Sequence, residues 1–127
     1  MRTIDLLLKK EEINDHIMKN QVAVVFDILL ATSTAASMFY HGAKEIIPVL
    51  DGEEALKTAK EQTRDDYLLV GEYLGQTIEG FHSPIPSLLK DVVNGKRIIF
   101  STTNGTVALK NSWAADAIYA ASMLNEK

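Results

Sequence analysis

Five apolar runs, residues 22–27, 45–50, 67–70, 97–100 and 117–120, alternate along this chain with stretches of helical character. Strands that are apolar along almost their whole length must be covered on both faces, and helices between them supply the cover. The pattern predicts an α/β fold, a three-layer α/β/α arrangement around a mostly parallel sheet. Helices are expected at residues 31–40, 52–64 and 103–113, with a shorter one at 88–93. Local signals mark their ends. Gly42 suits a left-handed cap after the first helix. Asp51, with Glu54 three residues on, makes a capping-box arrangement at the start of the second. Residues 71–86 hold three glycines and two prolines without a period, and read as irregular. Met38, Phe39, Tyr40 and Trp113 read as core or helix-packing residues.

A chain of 127 residues, 46% hydrophobic and 24% charged, suits one compact domain over residues 1–127. Its net charge of −4, with no basic run or stripe, argues against nucleic acid or an anionic membrane surface as a partner. No segment approaches the length of a membrane-spanning helix, and the start has only a three-residue apolar run between charges, unlike a signal peptide. The expected location is the cytoplasm. Without cysteine there is no disulfide, thiolate nucleophile or thiolate metal site.

Two stretches share one design. Arg97-Ile98-Ile99-Phe100 runs into Ser101-Thr102-Thr103-Asn104-Gly105-Thr106 and then a helix, while Val22–Phe26 ends at Asp27 and Ala31-Thr32-Ser33-Thr34 opens another helix. A buried strand that stops at a hydroxyl-rich turn and restarts as a helix can bind an anion through free N–H groups and hydroxyls. Plain helix capping is the alternative for either stretch alone.

In open parallel sheets, ligands bind beyond the carboxyl ends of the strands, here Asp27, Asp51, Glu72 and residues 101–106. Carboxylates beside a hydroxyl-and-amide cradle suit Mg²⁺ and a phosphorylated ligand. Asp51 is assigned to capping. Asp27 closes an all-apolar strand, where it has no packing role, although it could cap the turn at Leu29-Leu30. Glu79, in the irregular loop, is a third candidate acid. His16 reads as a solvated helix residue, His41 as a helix-end residue, and His82 as a loop residue of interest. The chain has no G-x-x-x-x-G-K-[ST], G-x-G-x-x-G or G-x-S-x-G motif.

Residues 24–34, Val-Val-Phe-Asp-Ile-Leu-Leu-Ala-Thr-Ser-Thr, resemble the V-V-I-D-V-L-R-A-T-[ST]-T stretch of the 2-phosphosulfolactate phosphatase family. His41-Gly42-Ala43-Lys44-Glu45-Ile46-Ile47-Pro48-Val49 is similar to that family's N-G-A-K-x-[IV]-x-P-V. Gly71-Glu72 with Ile78-Glu79-Gly80-Phe81 resembles G-E-R-G-G…I-E-G-F, and residues 101–106 resemble T-T-T-N-G-T. Met123-Leu124-Asn125 stands where the family has F-L-N.

The resemblance implies a three-layer α/β fold and magnesium-dependent hydrolysis of a small anionic phosphate ester, phosphosulfolactate, to sulfolactate, a step toward coenzyme M in some organisms. It implies Asp27 and Glu72 as catalytic residues, and Asp27, Glu72 and Glu79 as metal ligands. Thr32, Ser33, Thr34, Thr102, Thr103, Asn104, Gly105 and Thr106 would bind the phosphoryl group.

Three family arginines are replaced, by Leu30, Tyr73 and Val107, and His82 stands where the family tends to have Asp. Family members also continue into a second half. The other expectation is therefore a truncated or degenerate member without catalysis, a small-anion binding or structural domain. A shortened parallel sheet would leave an edge and apolar helix faces open, so a homo-oligomer is expected.

Overall fold

The computed structural model describes residues 1–126; Lys127, the last residue of the expected domain, lies outside the described residues. A 3-10 turn (Lys10–Glu12) and a short helix α1 (Asp15–Met18) lead into β1 (Val22–Phe26) and α2 (Ala31–Tyr40). There follow β2 (Glu45–Val49), α3 (Gly52–Lys60), β3 (Tyr67–Tyr73), β4 (Gln76–Thr77) and α4 (Pro86–Leu89). The remainder is β5 (Arg97–Ser101), α5 (Gly105–Asn111) and β6 (Ala117–Ala121).

The architecture is α/β and its strand pairing mostly parallel, but the strands form two sheets rather than one. β2, β5, β3 and β4 lie side by side in that order, while β1 pairs only with β6 among the described residues. β4 alone runs antiparallel. α5 packs against both β1 and β2, one strand of each sheet, and so bridges them.

β5 is the central strand, and its Ile98, Ile99 and Phe100 are all buried, as an unbroken apolar run demands. Successive residues of a strand point to opposite faces. Ile98 and Phe100 accordingly join Ala31, Ala35 and Met38 of α2 with Leu89 of α4, whereas Ile99 joins Val49 and the α3 residues Ala55 and Ala59. Helices thus cover both faces of the four-stranded sheet, giving the three layers.

α3 begins as its sequence requires. The Asp51 side chain accepts the Glu54 N–H at 2.8 Å, and the Glu54 carboxylate reaches back to the Leu50 N–H at 2.5 Å. It ends at Lys60, short of residue 64, because residues 61–66 contain no apolar side chain to hold a further turn on the sheet. The expected helix over 88–93 is instead α4, set by Pro86 at its first turn. α5 is likewise shorter than the expected 103–113, and starts at Gly105 because residues 102–104 are spent on the turn before it.

Residues 71–86 are more ordered than their composition suggests. β3 continues through Tyr73, turns at Leu74 (φ 49°) and Gly75 (φ 82°), and returns as β4. Positive φ at both central residues is the geometry of a tight hairpin turn that Asn-Gly normally signals. Leu-Gly in that place hides it from a sequence reading.

Of the four residues expected in core or helix-packing contacts, Met38 is buried, whereas the aromatic Phe39, Tyr40 and Trp113 are exposed. α2 buries its Ala31, Thr32, Thr34, Ala35 and Met38 face, which turns Phe39 and Tyr40 outward. The β1–β6 pair is bare on one side. Val22, Val24 and Phe26 of β1 and Tyr119 of β6, which lies opposite Val24, are 62%, 50%, 68% and 60% exposed.

Candidate active site

The two strand-to-helix turns are closed in the same way. At the end of β1 the Asp27 N–H donates to the Thr32 hydroxyl at 2.9 Å, and the Thr32 N–H returns to the Asp27 carbonyl at 3.0 Å. At the end of β5 the Thr102 N–H donates to the Thr106 hydroxyl at 2.8 Å, and the Thr106 N–H donates to the Thr102 hydroxyl at 3.0 Å. A hydroxyl in the first helical turn reaches back to the strand end in each. The residues at the N-cap positions, Leu30 and Asn104, make no side-chain capping bond.

The turns also meet. A Cβ added to Gly105 would overlap Ala31 Cβ and come within 2.7 Å of Asp27 Oδ2. Only a residue without a side chain lets the start of α5 lie against the Asp27 turn.

Asp27 and Glu72, from the ends of β1 and β3, line one open cleft of about 470 Å³ with Leu30, Leu74, Thr102, Thr103 and Asn104. The Asp27 carboxylate accepts no hydrogen bond among the described residues. Glu72 is held from several sides. Its Oε1 accepts the Thr103 N–H at 2.6 Å, and its Oε2 accepts the Thr103 hydroxyl at 2.9 Å and the Gly75 N–H at 2.8 Å. Burial pushes the Glu72 carboxyl upward, but these three donors and the nearby Lys10 charge outweigh it and hold the group below its ordinary range. An ionised carboxylate has about four lone-pair sites, so Glu72 keeps one free.

The remaining expected site residues divide by position. Thr34 is buried and donates to the Pro84 carbonyl at 2.8 Å. Thr32, Thr102 and Thr106 are buried, with their hydroxyls in the two turn bonds. Thr102 also lines the cleft. Ser33 is half-buried and lies outside the cleft wall, Asn104 is exposed on it, and Gly105 packs beneath Asp27. Glu79 is exposed and does not line the cleft with Asp27 and Glu72. Among the described residues no three acids or histidines come together as a metal-binding group. Two carboxylates facing one cleft nevertheless fit Mg²⁺, which takes one or two and fills its shell with water and phosphate oxygens. His41 caps α2 with Nδ1 2.8 Å from the Ser37 carbonyl, His16 is exposed, and His82 joins β3 through its backbone.

Sequence reasoning missed Lys10. Its Nζ donates to the carbonyl of Thr103, 93 residues away, and it lines a second cleft with Tyr73, Val107 and the shared wall of Glu72, Leu74, Thr102 and Thr103. A lysine in the unpatterned run Lys9-Lys10-Glu11-Glu12 carries no local signal of that placement.

Residues 7–127 match the family described as 2-phosphosulpholactate phosphatase. The chain belongs to that family. It is 45% identical over 125 residues to a protein of Clostridium acetobutylicum named "Probable 2-phosphosulfolactate phosphatase", covering 96% of this chain and 52% of that protein. A protein of Caldanaerobacter subterraneus with the same name is 45% identical over 116 residues, covering 89% of this chain and 48% of its own length. One from Clostridium beijerinckii, also so named, is 38% identical over 125 residues, covering 96% and 52% respectively. The chain spans about half the length of these relatives. No helix among the described residues is long and apolar enough to cross a membrane.

Proposed function

We propose that this chain carries the hydrolytic cleft of a magnesium-dependent phosphatase acting on a small anionic phosphate ester, phosphosulfolactate, to give sulfolactate and phosphate. The observation that carries the reading is the convergence of Asp27 and Glu72, from different strands, on one cleft closed by the Thr102–Thr103–Asn104 turn, in a chain of this family.

Asp27, which accepts no hydrogen bond among the described residues, is the group that orients the attacking water. Glu72, kept ionised by its three donors, offers the second carboxylate. Magnesium held by this pair would supply Lewis-acid polarisation of the phosphoryl oxygens and a more acidic water. The Asn104 side chain and the turn backbone at the cleft wall face the phosphoryl group, which passes to water as its bond to the sulfolactate oxygen breaks and that oxygen takes up a proton. The four buried threonine hydroxyls act indirectly, by fixing the turns. The reading also places the protein in the cytoplasm, in the route toward coenzyme M, and in a homo-oligomer formed through its bare β1–β6 face.

The test is phosphate release from phosphosulfolactate and from simple phosphate monoesters, with magnesium and with a chelator. Magnesium-dependent release that favours phosphosulfolactate is expected. A folded protein that releases no phosphate from any of them would overturn the reading.

A further inference from the structure

The two clefts flank one ridge, formed by the Glu72 carboxylate and the Thr103 turn that binds it. Asp27 stands on one side and Lys10 on the other. Among the described residues lining either cleft, Lys10 is the only one with a cationic side chain. Leu30, Tyr73 and Val107 bring no positive charge to these walls, and Lys110 is engaged with Glu54 at 3.0 Å. Lys10 itself has no carboxylate within ion-pair distance among the described residues. An ammonium group has three donors, and the Thr103 carbonyl takes one. Two donors therefore remain at the edge of the second cleft, on an ammonium whose charge also helps to keep the neighbouring Glu72 carboxylate ionised.

We propose that Lys10 is an anion-binding residue, holding the second acidic group, carboxylate or sulfonate, of a phosphate ester whose phosphoryl group lies in the Asp27 cleft. The proposal rests on the phosphate-ester reading above and adds to it the residue that selects acid-bearing esters over plain ones. One ligand then spans the Glu72–Thr103 ridge, with the phosphate on the carboxylate side and the acid on the lysine side.

The test is calorimetric binding of phosphosulfolactate and of isopropyl phosphate, which lacks the further acids, to the wild-type chain, Lys10→Gln and Lys10→Arg. Glutamine can still donate to the Thr103 carbonyl, so it keeps the anchor and removes the charge. The wild type is expected to prefer phosphosulfolactate. Lys10→Gln should lose about tenfold or more of that preference, the usual worth of a charge-assisted hydrogen bond, and Lys10→Arg should retain it. An unchanged preference in Lys10→Gln, or no preference in the wild type, overturns the proposal. Should Lys10→Gln fail to fold, the Lys10 Nζ resonance of the wild type serves instead. It should shift with phosphosulfolactate and not with isopropyl phosphate, and equal behaviour with both overturns the proposal. Binding and phosphate release are read separately. Selective binding without release overturns hydrolysis alone, and release with no dependence on Lys10 overturns this inference alone.

Discussion

Asp27 and Glu72 share a cleft but are held in opposite ways, and their substitutions should behave differently. Asp27 has no donor among the described residues, so its carboxylate is free for a ligand. Asp27→Asn is expected to abolish magnesium-dependent phosphate release while leaving the denaturation midpoint nearly unchanged. Turnover at the wild-type rate would remove Asp27 from the site. Glu72 is a structural clamp as well, joining the β3–β4 hairpin to the β5–α5 turn through Gly75 and Thr103. Its folded pKa lies below the ordinary 4.5, so its stabilisation is full above that value and is lost as pH falls through the lower folded one. Stability should therefore decline below about pH 4.5, and Glu72→Gln should flatten part of that decline in denaturant titrations across pH. The part that remains belongs to Glu54, which is also held low: burial pushes it up, but the Leu50 N–H and Lys110 outweigh that. An unaltered profile in Glu72→Gln would contradict the clamp. The sequence marked both acids from their places at strand ends. It could not show that one is bound and the other free, because that depends on Thr103 and Gly75 arriving from separate turns.

At the scale of elements, the two strand–turn–helix units were legible because each is local: an apolar run, a hydroxyl-rich turn and a helical spacing. What their hydroxyls do was not legible. Thr32 and Thr106 reach back to the strand ends and accept their N–H groups, so they brace the turns. Their mutual placement depends on Gly105, which resembles a ligand-binding glycine in sequence and is a contact glycine in the structure. Gly105→Ala gains less than the roughly 1 kcal/mol of helix propensity that the exchange brings in a helix interior, because residue 105 is the first of α5. It also forces Ala31 and the Asp27 carboxylate away, an overpacking cost of about 1–3 kcal/mol. A net loss of stability by denaturant unfolding is expected, with a larger loss of phosphate release because Asp27 moves. Unfolding and activity both at wild-type levels would show that the turns tolerate separation. The β3–β4 hairpin escaped the sequence reading for a related reason. Leu74 adopts φ 49° under the constraint of the hairpin and of its N–H bond to the Thr103 hydroxyl at 2.7 Å, against its own backbone preference.

For the whole molecule, the bare face of β1–β6 is the largest departure from a covered α/β sheet. Val22, Val24, Phe26 and Tyr119 form an apolar surface with no layer over it among the described residues. Burial of such a surface is favourable at roughly 25 cal/mol per Å². Self-association through this face is expected, with a sedimentation mass that rises with concentration. Val24→Lys should shift the protein toward monomer, since it places a charge where the face would be buried. A monomer at every concentration, or association insensitive to Val24→Lys, would count against this face. The sequence by itself determined the alternation of the five apolar strands with helices, the burial of β5, the α3 cap and the candidate acids. Apolar periodicity and capping act between residues a few positions apart, so they are written locally. Only the tertiary structure decided that the strands divide into two sheets, that Gly105 abuts Asp27, and that Lys10 reaches Thr103 across 93 residues. Those outcomes depend on which distant groups compete for the same surface and the same hydrogen bonds, and no short window of sequence contains both partners.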